Sequence, residues 1–463
     1  MFTIRPYKLA ALREWNTRMS RFDTPEIFDS VIEHILQYQG FDCSETPLQP
    51  RSVYSVSKLY EQLEAFDPSK SVFVDINDKH VQRGIAFAFK CFAKDRKHDY
   101  LRPLTYYDET IISNWKASAG LTAFGSNKRE AFSRGTLSAE RILNESRKPE
   151  PCIALTRTQK KGKTRLVWGY PMSMTLLEGS FAKVLLSVFK KGLSPMAFAT
   201  TAKNLGSQIL SSSNNNKYFY SLDASQYDGT IQREIIHACF GIIRTWFRLD
   251  DEYAFGQSNG EVLSIIERYF TYTPIVMPTV SDEKFQGILH TGKKHGVPSG
   301  SYFTQLIDSI ANVIILGTMA SRFGFQVTSH DCKVLGDDLL FFTDSHLDIV
   351  ELAKYAKETF GMKVNPVKSV QGRSDESIPF LGREWVNGLP TRSSEIAIQK
   401  MLSPENFRKY NNARREGKLV VLSYSLSALQ DVGLIPDLHG WSSRYNSLED
   451  VLLNAPKLSG LLS

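Results

Sequence analysis

The middle of the chain alternates short strand-like segments with longer helix-like stretches. Apolar residues at helical spacing predict helices over residues 25–38 and 53–66. Strand-like patterns between about residues 150 and 385 predict a region of mixed helix and sheet. The predicted strands are Thr164–Gly169, Tyr218–Leu222, 334–343 and 380–386. Runs of small and polar residues predict loops at 211–216 and 372–379, and the region from about 387 onward is helix-prone and locally basic.

The composition is that of a globular protein. Of 463 residues, 42% are apolar and 23% are charged, which excludes a disordered or fibrous chain. The length suggests about three domains or one large body. The 56 Lys and Arg residues exceed the 49 Asp and Glu residues by 7, and so small an excess does not by itself predict a nucleic-acid partner.

The cysteines and the apolar runs indicate the cellular compartment in which the protein is expected. Five scattered cysteines without a Cys-x-x-Cys pair argue against a disulfide framework or a structural zinc site and fit a reducing compartment. The first residues lack the continuous apolar stretch of a secretory signal. The most apolar later run, 311–319, is shorter than the roughly 20 residues that span a bilayer. We therefore expect a soluble, cytosolic protein.

Two acids follow a predicted strand. Asp223 comes directly after the strand Tyr218–Leu222, where a carboxylate on a rigid edge can hold a metal ion, and Asp228 follows five residues later. A helix N-cap is the alternative interpretation, because Asp is favoured at that position and a helix is expected to begin near Asp228.

A second acidic motif lies between two strongly apolar segments. The sequence Gly336, Asp337, Asp338 is typical of the tip of a tight β-hairpin, and an ordinary Asp/Gly turn is the alternative. Two adjacent carboxylates on a buried hairpin are costly unless a cation neutralises them. Mg²⁺ or Mn²⁺ would suit, because hard cations take oxygen ligands.

A loop rich in Gly, Pro and Ser begins at Gly296 and leads into a long apolar helix. Thr304, Asp308 and Asn312 are spaced four residues apart on this helix and share one face. Such polar residues need partners. Either they cap and pack inside the fold, or they line a site that reads a hydroxyl group.

A basic segment precedes these motifs. Five cations occur within nine residues without an acid: Arg157, Lys160, Lys161, Lys163 and Arg165. Lys163 and Arg165 flank the start of a predicted strand and can point to one face. A solvated run of charge is one interpretation, and a cationic wall for phosphates is the other.

Taken in order, these motifs resemble those of viral RNA-dependent RNA polymerases, most closely the partitivirus enzymes, with the picobirnavirus enzymes next. The order is a basic segment, Asp-x4-Asp, Ser-Gly-x3-Thr, Gly-Asp-Asp, a Lys and Phe-Leu-Gly-Arg, from about residue 115 to 385. The resemblance implies an α+β right-hand polymerase, with a small antiparallel palm sheet flanked by helices and with helix-rich fingers and thumb. The implied parts are 1–185 (N-terminal region and fingers), 186–229 (palm), 230–290 (fingers insertion), 291–386 (palm) and 387–463 (thumb).

The resemblance also implies catalytic roles. Asp223 and Asp337 would hold two Mg²⁺ (or Mn²⁺) ions, with Asp338 as an adjacent helper. Lys368 would protonate the leaving pyrophosphate. The cations that would grip the incoming triphosphate are Arg157, Lys160, Lys163 and Arg165.

Further contacts would be made with the sugar and with RNA. The residues implied around the nucleotide and its 2′-hydroxyl are Asp228, Ser299, Gly300 and Thr304, completed by Asp308 or Asn312. The residues implied to contact RNA are Ser118 and Gly120 in a finger loop, and Phe380, Leu381, Gly382 and Arg383 in a hairpin that supports the primer.

The implied function is transcription and replication of a double-stranded-RNA virus genome. The partners would be template and product RNA, NTPs and the viral capsid protein, without a membrane, in the host cytoplasm within the virion or capsid. A retroelement reverse transcriptase is the alternative enzyme. Asp228 and the loop at Ser299 argue against it, because a reverse transcriptase has a bulky aromatic residue near the first position. A third alternative is a non-enzymatic RNA-binding or capsid protein, in which the acids are turns and caps.

Overall fold

The fold is known from a computed structural model of the chain. It describes residues 1–9, 28–38, 40, 43, 46, 54–158, 164–189, 192, 194–198, 200–279, 286–391, 394–404, 411–413, 416–418 and 420–421. Helices and strands alternate through most of this part of the chain, as expected for an α+β protein.

The α-helices are numbered in chain order. They are α1 (Ser30–Tyr38), α2 (Val56–Leu63), α3 (Lys79–Phe92), α4 (Phe132–Leu143), α5 (Met172–Phe189), α6 (Ala202–Asn215), α7 (Tyr227–Thr230), α8 (Arg233–Arg244), α9 (Asn259–Tyr272), α10 (Thr304–Phe323), α11 (Ile349–Phe360) and α12 (Ser394–Leu402). Short 3₁₀ turns lie at Glu64–Phe66, Pro68–Lys70, Glu109–Ile111 and Gly120–Ala123.

The strands are numbered in the same way. They are β1 (Thr3–Lys8), β2 (Cys152–Thr158), β3 (Thr164–Gly169), β4 (Tyr218–Leu222), β5 (Ala224–Ser225), β6 (Glu252–Ala254), β7 (Gln257–Ser258), β8 (Ile275–Met277), β9 (Gln286–Thr291), β10 (Cys332–Leu335), β11 (Asp338–Thr343), β12 (Lys363–Val364), β13 (Val370–Arg373), β14 (Ile378–Phe380), β15 (Arg383–Val386) and β16 (Leu389–Thr391).

A four-stranded antiparallel sheet, in the order β10-β11-β4-β13, corresponds to the sheet predicted for the palm. Alternate residues along β11 enter different hydrophobic clusters, so that Leu339 and Phe341 join the main core while Leu340 and Phe342 pack with Trp385. The sheet is therefore covered on both faces, which keeps it rigid.

A second sheet, in the order β1-β9-β8-β2-β3, carries the basic hairpin β2–β3. Strand β1 pairs antiparallel with β9, from Thr3 opposite Thr291 to Lys8 opposite Gln286. No sequence prediction included β1, because its partner strand lies more than 270 positions farther along the chain.

Helix α10 runs through the core, and 14 of its 20 residues are buried. It crosses α3 where glycines bring the two backbones together: a Cβ added at Gly317 would lie 3.0 Å from the Cα of Gly84. The apolar run 311–319 noted in the sequence lies within this helix, which has 20 residues.

Helices α5 and α10 are long and apolar enough to cross a membrane, by length and composition alone. However, 72% and 78% of their apolar stretches are buried inside the fold. The core helix of a globular protein passes the same test, so these two helices are weak evidence for a membrane span.

Most of the predicted elements are present. The predicted strands Thr164–Gly169 and Tyr218–Leu222 are β3 and β4, and the helix predicted over 53–66 is α2 with its 3₁₀ extension. The helix predicted over 25–38 begins at Ser30, and its first residues fall partly outside the described ranges. Much of the predicted thumb, 387–463, also lies outside them. The five-part division of the chain stays a prediction.

The loop prediction at 211–216 is wrong, because α6 continues to Asn215. Ser212 is buried there, and its hydroxyl donates to the carbonyls of Gln208 and His330. The loop predicted at 372–379 shrinks to 374–377 between strands β13 and β14. In both places tertiary contacts outweigh the local composition.

The helix crossing predicts a large effect of one methyl group. A Cβ at Gly84 would lie 2.1 Å from Thr318 Oγ1 and 2.3 Å from the Ile314 carbonyl oxygen. We expect Gly84→Ala to destabilise the protein by about 1–3 kcal/mol, because α3 and α10 must move apart. Thermal melting measures this as a lowered Tm.

Gly241→Ala is the matched control. Gly241 lies inside α8, and a Cβ there meets nothing within 4 Å. Its replacement should raise the Tm slightly, because Ala has a higher helix propensity than Gly. A Gly84→Ala variant that melts at the wild-type temperature would contradict the close crossing.

Candidate active site

Acids from two strands meet at one edge of the palm sheet. Leu222 of β4 pairs with Leu339 of β11, so Asp223 follows at the position beside Asp338. Asp337 occupies the two-residue turn between Leu335 and Asp338, which are paired with each other. The predicted hairpin is confirmed, and its acids lie next to Asp223.

Asp223 and Asp337 border a cavity of about 950 Å³ between the palm and the basic hairpin, whereas Asp338 does not line it. The predicted site residues that line it are Arg157, Arg165, Asp223, Asp228, Ser299, Thr304, Asp308, Asp337 and Lys368. They come from five separate parts of the sequence, so the fold brings together nine of the 14 predicted catalytic and nucleotide-binding residues. Helix α2 was predicted as a helix but not as part of the site, and it adds Lys58 and Glu61 to the cavity wall.

The carboxylates repel one another. Burial, reinforced by Asp337 and Asp223, raises the pKa of Asp338 to about 6, and Arg165 partly opposes this. Burial and Asp337 likewise raise the pKa of Asp228 to about 6. Burial, reinforced by Asp228 and Asp337, raises the pKa of Asp308 well above its usual value. Such a concentration of negative charge favours a bound cation.

The donor set suits Mg²⁺ or Mn²⁺, both of which prefer carboxylate oxygens. Within the described ranges, no group of three or more His, Cys, Asp or Glu side chains is placed to hold an ion by itself. Mg²⁺ usually takes one or two protein carboxylates and completes its shell with water and substrate phosphates. Asp223 and Asp337 therefore fit ions that are held jointly by the protein and a nucleotide.

Helix α10 fixes the Gly-Asp-Asp turn. The Gly336 N–H donates to Ser309 Oγ over 3.0 Å, and Asn312 Nδ2 donates to the Gly336 carbonyl over 2.7 Å. Asn312 is fully buried and does not line the cavity. Of the two residues left open for the ribose, Asp308 faces the cavity, whereas Asn312 supports the turn that carries Asp337. Sequence analysis missed Ser309.

The segment with Lys368 is tied to Asp223. The Asn365 N–H donates to the Asp223 carbonyl (2.8 Å), and the Asp223 N–H donates to Ser369 Oγ (3.0 Å). The backbone of Lys368 in turn donates to Asn365. These bonds place Lys368 beside the acid that precedes it by 145 positions.

Asp228 lies in the first turn of the four-residue helix α7, whose N-cap is Gln226. Gln226 has a φ of 55°, a left-handed conformation that is uncommon for a residue other than glycine. This residue reverses the chain after β5 and brings Asp228 back to the cavity. The alternative that Asp228 is an N-cap is therefore wrong.

The loop 296–303 is packed against strand β3. The Trp168 N–H donates to Ser299 Oγ over 3.2 Å, and the Thr304 hydroxyl donates to the Pro298 and Ser301 carbonyls. A Cβ at Gly300 would lie only 1.9 Å from the Trp168 carbonyl oxygen, so Gly300 permits this packing and does not line the cavity.

The basic hairpin is present as β2–β3, with Arg157 opposite Arg165, and both line the cavity. Lys160 and Lys163, predicted for the same wall, lie outside the described residues.

The six residues predicted to contact RNA do not line the cavity. Phe380 is buried, and its carbonyl accepts from Trp385 Nε1, so it packs in the core beneath the palm. Leu381 and Gly382 form the tip of the β14–β15 hairpin, before Arg383. Gly120 is buried against the Tyr170 carbonyl, and Ser118 bridges to Asn127. Their contacts with RNA stay predictions.

A small antiparallel palm sheet with acids at one edge, facing a basic hairpin across a cavity, defines a right-hand polymerase. The structure is similar to that of a picobirnavirus RNA-dependent RNA polymerase, the insertion-loop deletion mutant from a human picobirnavirus. The TM-score is 0.66 at 14% identity, over 92% of this chain and 87% of that one. The predicted fold class is confirmed.

Residues 41–430 match the family of viral RNA-dependent RNA polymerases, and the chain belongs to that family. It is 32% identical over 154 residues to the RNA-directed RNA polymerase of Atkinsonella hypoxylon virus, covering 31% of this chain and 22% of the relative. It is 24% identical over 266 residues to that of White clover cryptic virus 1, covering 52% and 42%. The predicted resemblance is confirmed. The matched segments span less than half of these relatives.

The raised pKa of Asp228 predicts a pH-dependent cost of folding. Because the folded pKa is about 6, the contribution of Asp228 to stability is complete below its unfolded pKa near 4 and is lost as the pH rises through 6. Asp228→Asn removes this loss. In EDTA, we expect the variant to gain on the order of 1–3 kcal/mol over the wild type at pH 8 and little at pH 4.5.

Thermal melting at the two pH values measures this difference. The exposed Asp99 provides the control, since Asp99→Asn should show no comparable pH dependence. An advantage of Asp228→Asn that is equal at both pH values would mean that the carboxyl is not held in a repulsive environment.

Proposed function

We propose that the protein is an RNA-directed RNA polymerase that transfers nucleotidyl groups from NTPs to an RNA 3′ end. The observation that carries the proposal is the convergence of Asp223, Asp337 and Asp338 from two strands, opposite Arg165 and beside Lys368. Membership of the viral RNA-dependent RNA polymerase family supports the same reaction.

Each group has a role that follows from its position. Asp223 and Asp337 would hold two divalent cations, which make the 3′-hydroxyl more acidic and neutralise the leaving pyrophosphate. Arg157 and Arg165 bind the triphosphate with their guanidinium groups. Lys368 delivers a proton to the pyrophosphate as it departs.

Ribose selection would involve both sides of the cavity. Asp228 lines it from helix α7, and Ser299 lines it from the loop before α10. The Ser299 oxygen accepts from the Trp168 N–H, which leaves its own hydrogen available for donation to the sugar. Asp308 has no hydrogen-bond partner at Oδ1 within the described part of the chain, and it completes the network.

The template and product are RNA, and the biological process is transcription and replication of a double-stranded-RNA virus genome. The polymerases of Atkinsonella hypoxylon virus and White clover cryptic virus 1 support this assignment by similarity. Association with a capsid protein and a location in the host cytoplasm, within the virion, belong to the same proposal.

Primer extension on an RNA template separates the candidate functions. The polymerase should incorporate NTPs far better than dNTPs, because a site that binds the 2′-hydroxyl rejects an analogue that lacks it. A reverse transcriptase would prefer dNTPs. A non-enzymatic RNA-binding protein would incorporate neither.

We expect Asp337→Asn to abolish incorporation in this assay, because the change keeps the size of the side chain but removes a metal-binding charge. Asp344→Asn, at the other end of strand β11, is the control and should remain active. Circular dichroism should show that both variants are folded. Near wild-type elongation by Asp337→Asn would overturn the metal assignment.

Lys368→Ala should slow the chemical step and leave NTP binding almost unchanged, because a general acid acts mainly in the transition state. Pre-steady-state incorporation should show a maximal rate reduced by up to about 10²–10⁴-fold with a similar apparent Kd. Lys363→Ala, an exposed lysine on β12, is the control. A loss confined to Kd would assign Lys368 to triphosphate binding instead.

A further inference from the structure

We propose that Glu178 is a positioning residue for sugar selection: it holds the loop 296–303 in the conformation that presents Ser299 to the ribose. The inference rests on the proposed function. Glu178 lies on helix α5, outside the cavity, and no sequence motif drew attention to it.

Glu178 is bonded to the loop at two adjacent residues. Its Oε2 accepts from the Ser301 hydroxyl over 2.5 Å and from the Tyr302 N–H over 3.0 Å. The Ser301 oxygen also accepts from the Phe303 N–H over 3.0 Å. One carboxylate oxygen therefore organises the end of the loop and the entry into helix α10.

Neighbouring contacts bring α5 and the loop together. A Cβ at Gly179 would lie 3.0 Å from the Tyr302 ring, so the glycine permits a close approach. The Tyr302 hydroxyl donates to the Ile111 carbonyl over 2.5 Å. At the other end of the loop, Ser299 is bonded to Trp168. The loop is thus held from two sides, by β3 at Ser299 and by α5 at Ser301 and Tyr302.

The chemistry of Glu178 is unusual for a residue that only fills space. The side chain has 0% exposure, and no ion pair to it occurs among the described residues. Burial raises its pKa to about 7, and the hydrogen bonds from Ser301 and Tyr302 oppose that rise. A buried acid without a counter-ion is costly, whereas its value as an acceptor for two loop donors is specific.

Removing the acceptor should loosen the loop without disturbing the catalytic acids. Glu178→Leu keeps the approximate size of the side chain and leaves the Ser301 hydroxyl and the Tyr302 N–H unpaired. The conformation that binds the 2′-hydroxyl then becomes less populated, and the apparent affinity for NTP falls in proportion. Because dATP makes no bond through that hydroxyl, it loses less.

The experiment is single-nucleotide incorporation of ATP and dATP opposite the same template base. For Glu178→Leu we expect the ratio of kcat/KM for ATP to that for dATP to fall about five- to tenfold, mainly through a higher KM for ATP. Glu178→Gln retains an accepting oxygen and should recover most of the ratio.

Glu150, which lies just before strand β2, provides a matched control. It is also a buried acid, and it accepts from two serine hydroxyls, Ser138 and Ser173, but it does not touch the loop. Glu150→Leu should lower the Tm and leave the ATP/dATP ratio within about twofold of the wild type. An equal loss of the ratio in both variants would make the effect one of general destabilisation and overturn the proposal.

A second variant guards against a Glu178→Leu protein that does not fold. Ser301→Ala deletes one donor and keeps the buried acid, and it should reduce the ratio in the same direction. An unchanged ratio in Ser301→Ala, or equal losses for ATP and dATP in Glu178→Leu, would refute the positioning role. Failure of the proposed function is distinguishable, since the wild-type protein would then show no template-directed incorporation.

Discussion

Like charges crowd one edge of the palm sheet, and much of the surrounding structure keeps them there. Burial and mutual repulsion raise the pKa of Asp228, Asp308 and Asp338. The ionised form of each of these carboxylates is therefore disfavoured in the folded protein. Such an arrangement persists only where the scaffold determines it strongly. The scaffold does so through hydrogen bonds to the backbone of the acidic segments. The segment 365–369 binds both the N–H and the carbonyl of Asp223. Side chains of helix α10 bind both the N–H and the carbonyl of Gly336.

Helix α10 can support the turn only because it is itself immobilised. Most of its apolar residues are buried, and the near contact of Gly84 with Gly317 fixes it against α3. Four of its polar residues shape the site, since a buried polar group without a partner is costly. Thr304 closes the loop that precedes the helix, Ser309 and Asn312 hold the turn, and Asp308 faces the cavity. Because the helix is packed in the core and bonded to the Gly-Asp-Asp turn, it fixes the position of that turn.

Local sequence patterns were sufficient to predict residues of the site. They did not predict which of these residues face the cavity or which other residues hold them in place. Strands β3 and β4 are recognisable because their side chains alternate over short apolar segments. The spacing of Thr304, Asp308 and Asn312 predicts one helix face, yet it does not reveal that the hairpin crosses the helix at Asn312 and removes that residue from the cavity. The pairing of β1 with β9 depends on residues nearly 290 positions apart, and no local signal reports it. Glu178 did leave a signal, because an acid within the apolar helix α5 needs a buried partner.

The sugar side of the cavity shows why rigid support matters for selection. The Val297 N–H donates to the Asp228 carbonyl over 2.6 Å, and the Gly296 N–H donates to the Ile231 carbonyl over 2.7 Å. The backbone that carries Asp228 therefore also holds the start of the loop with Ser299, while Glu178 holds its end. A flexible site could turn its polar groups to water when the 2′-hydroxyl is missing, and the deoxy analogue would lose little. In a site whose groups cannot move, the missing hydroxyl leaves them unpaired, and that difference in free energy is the selectivity.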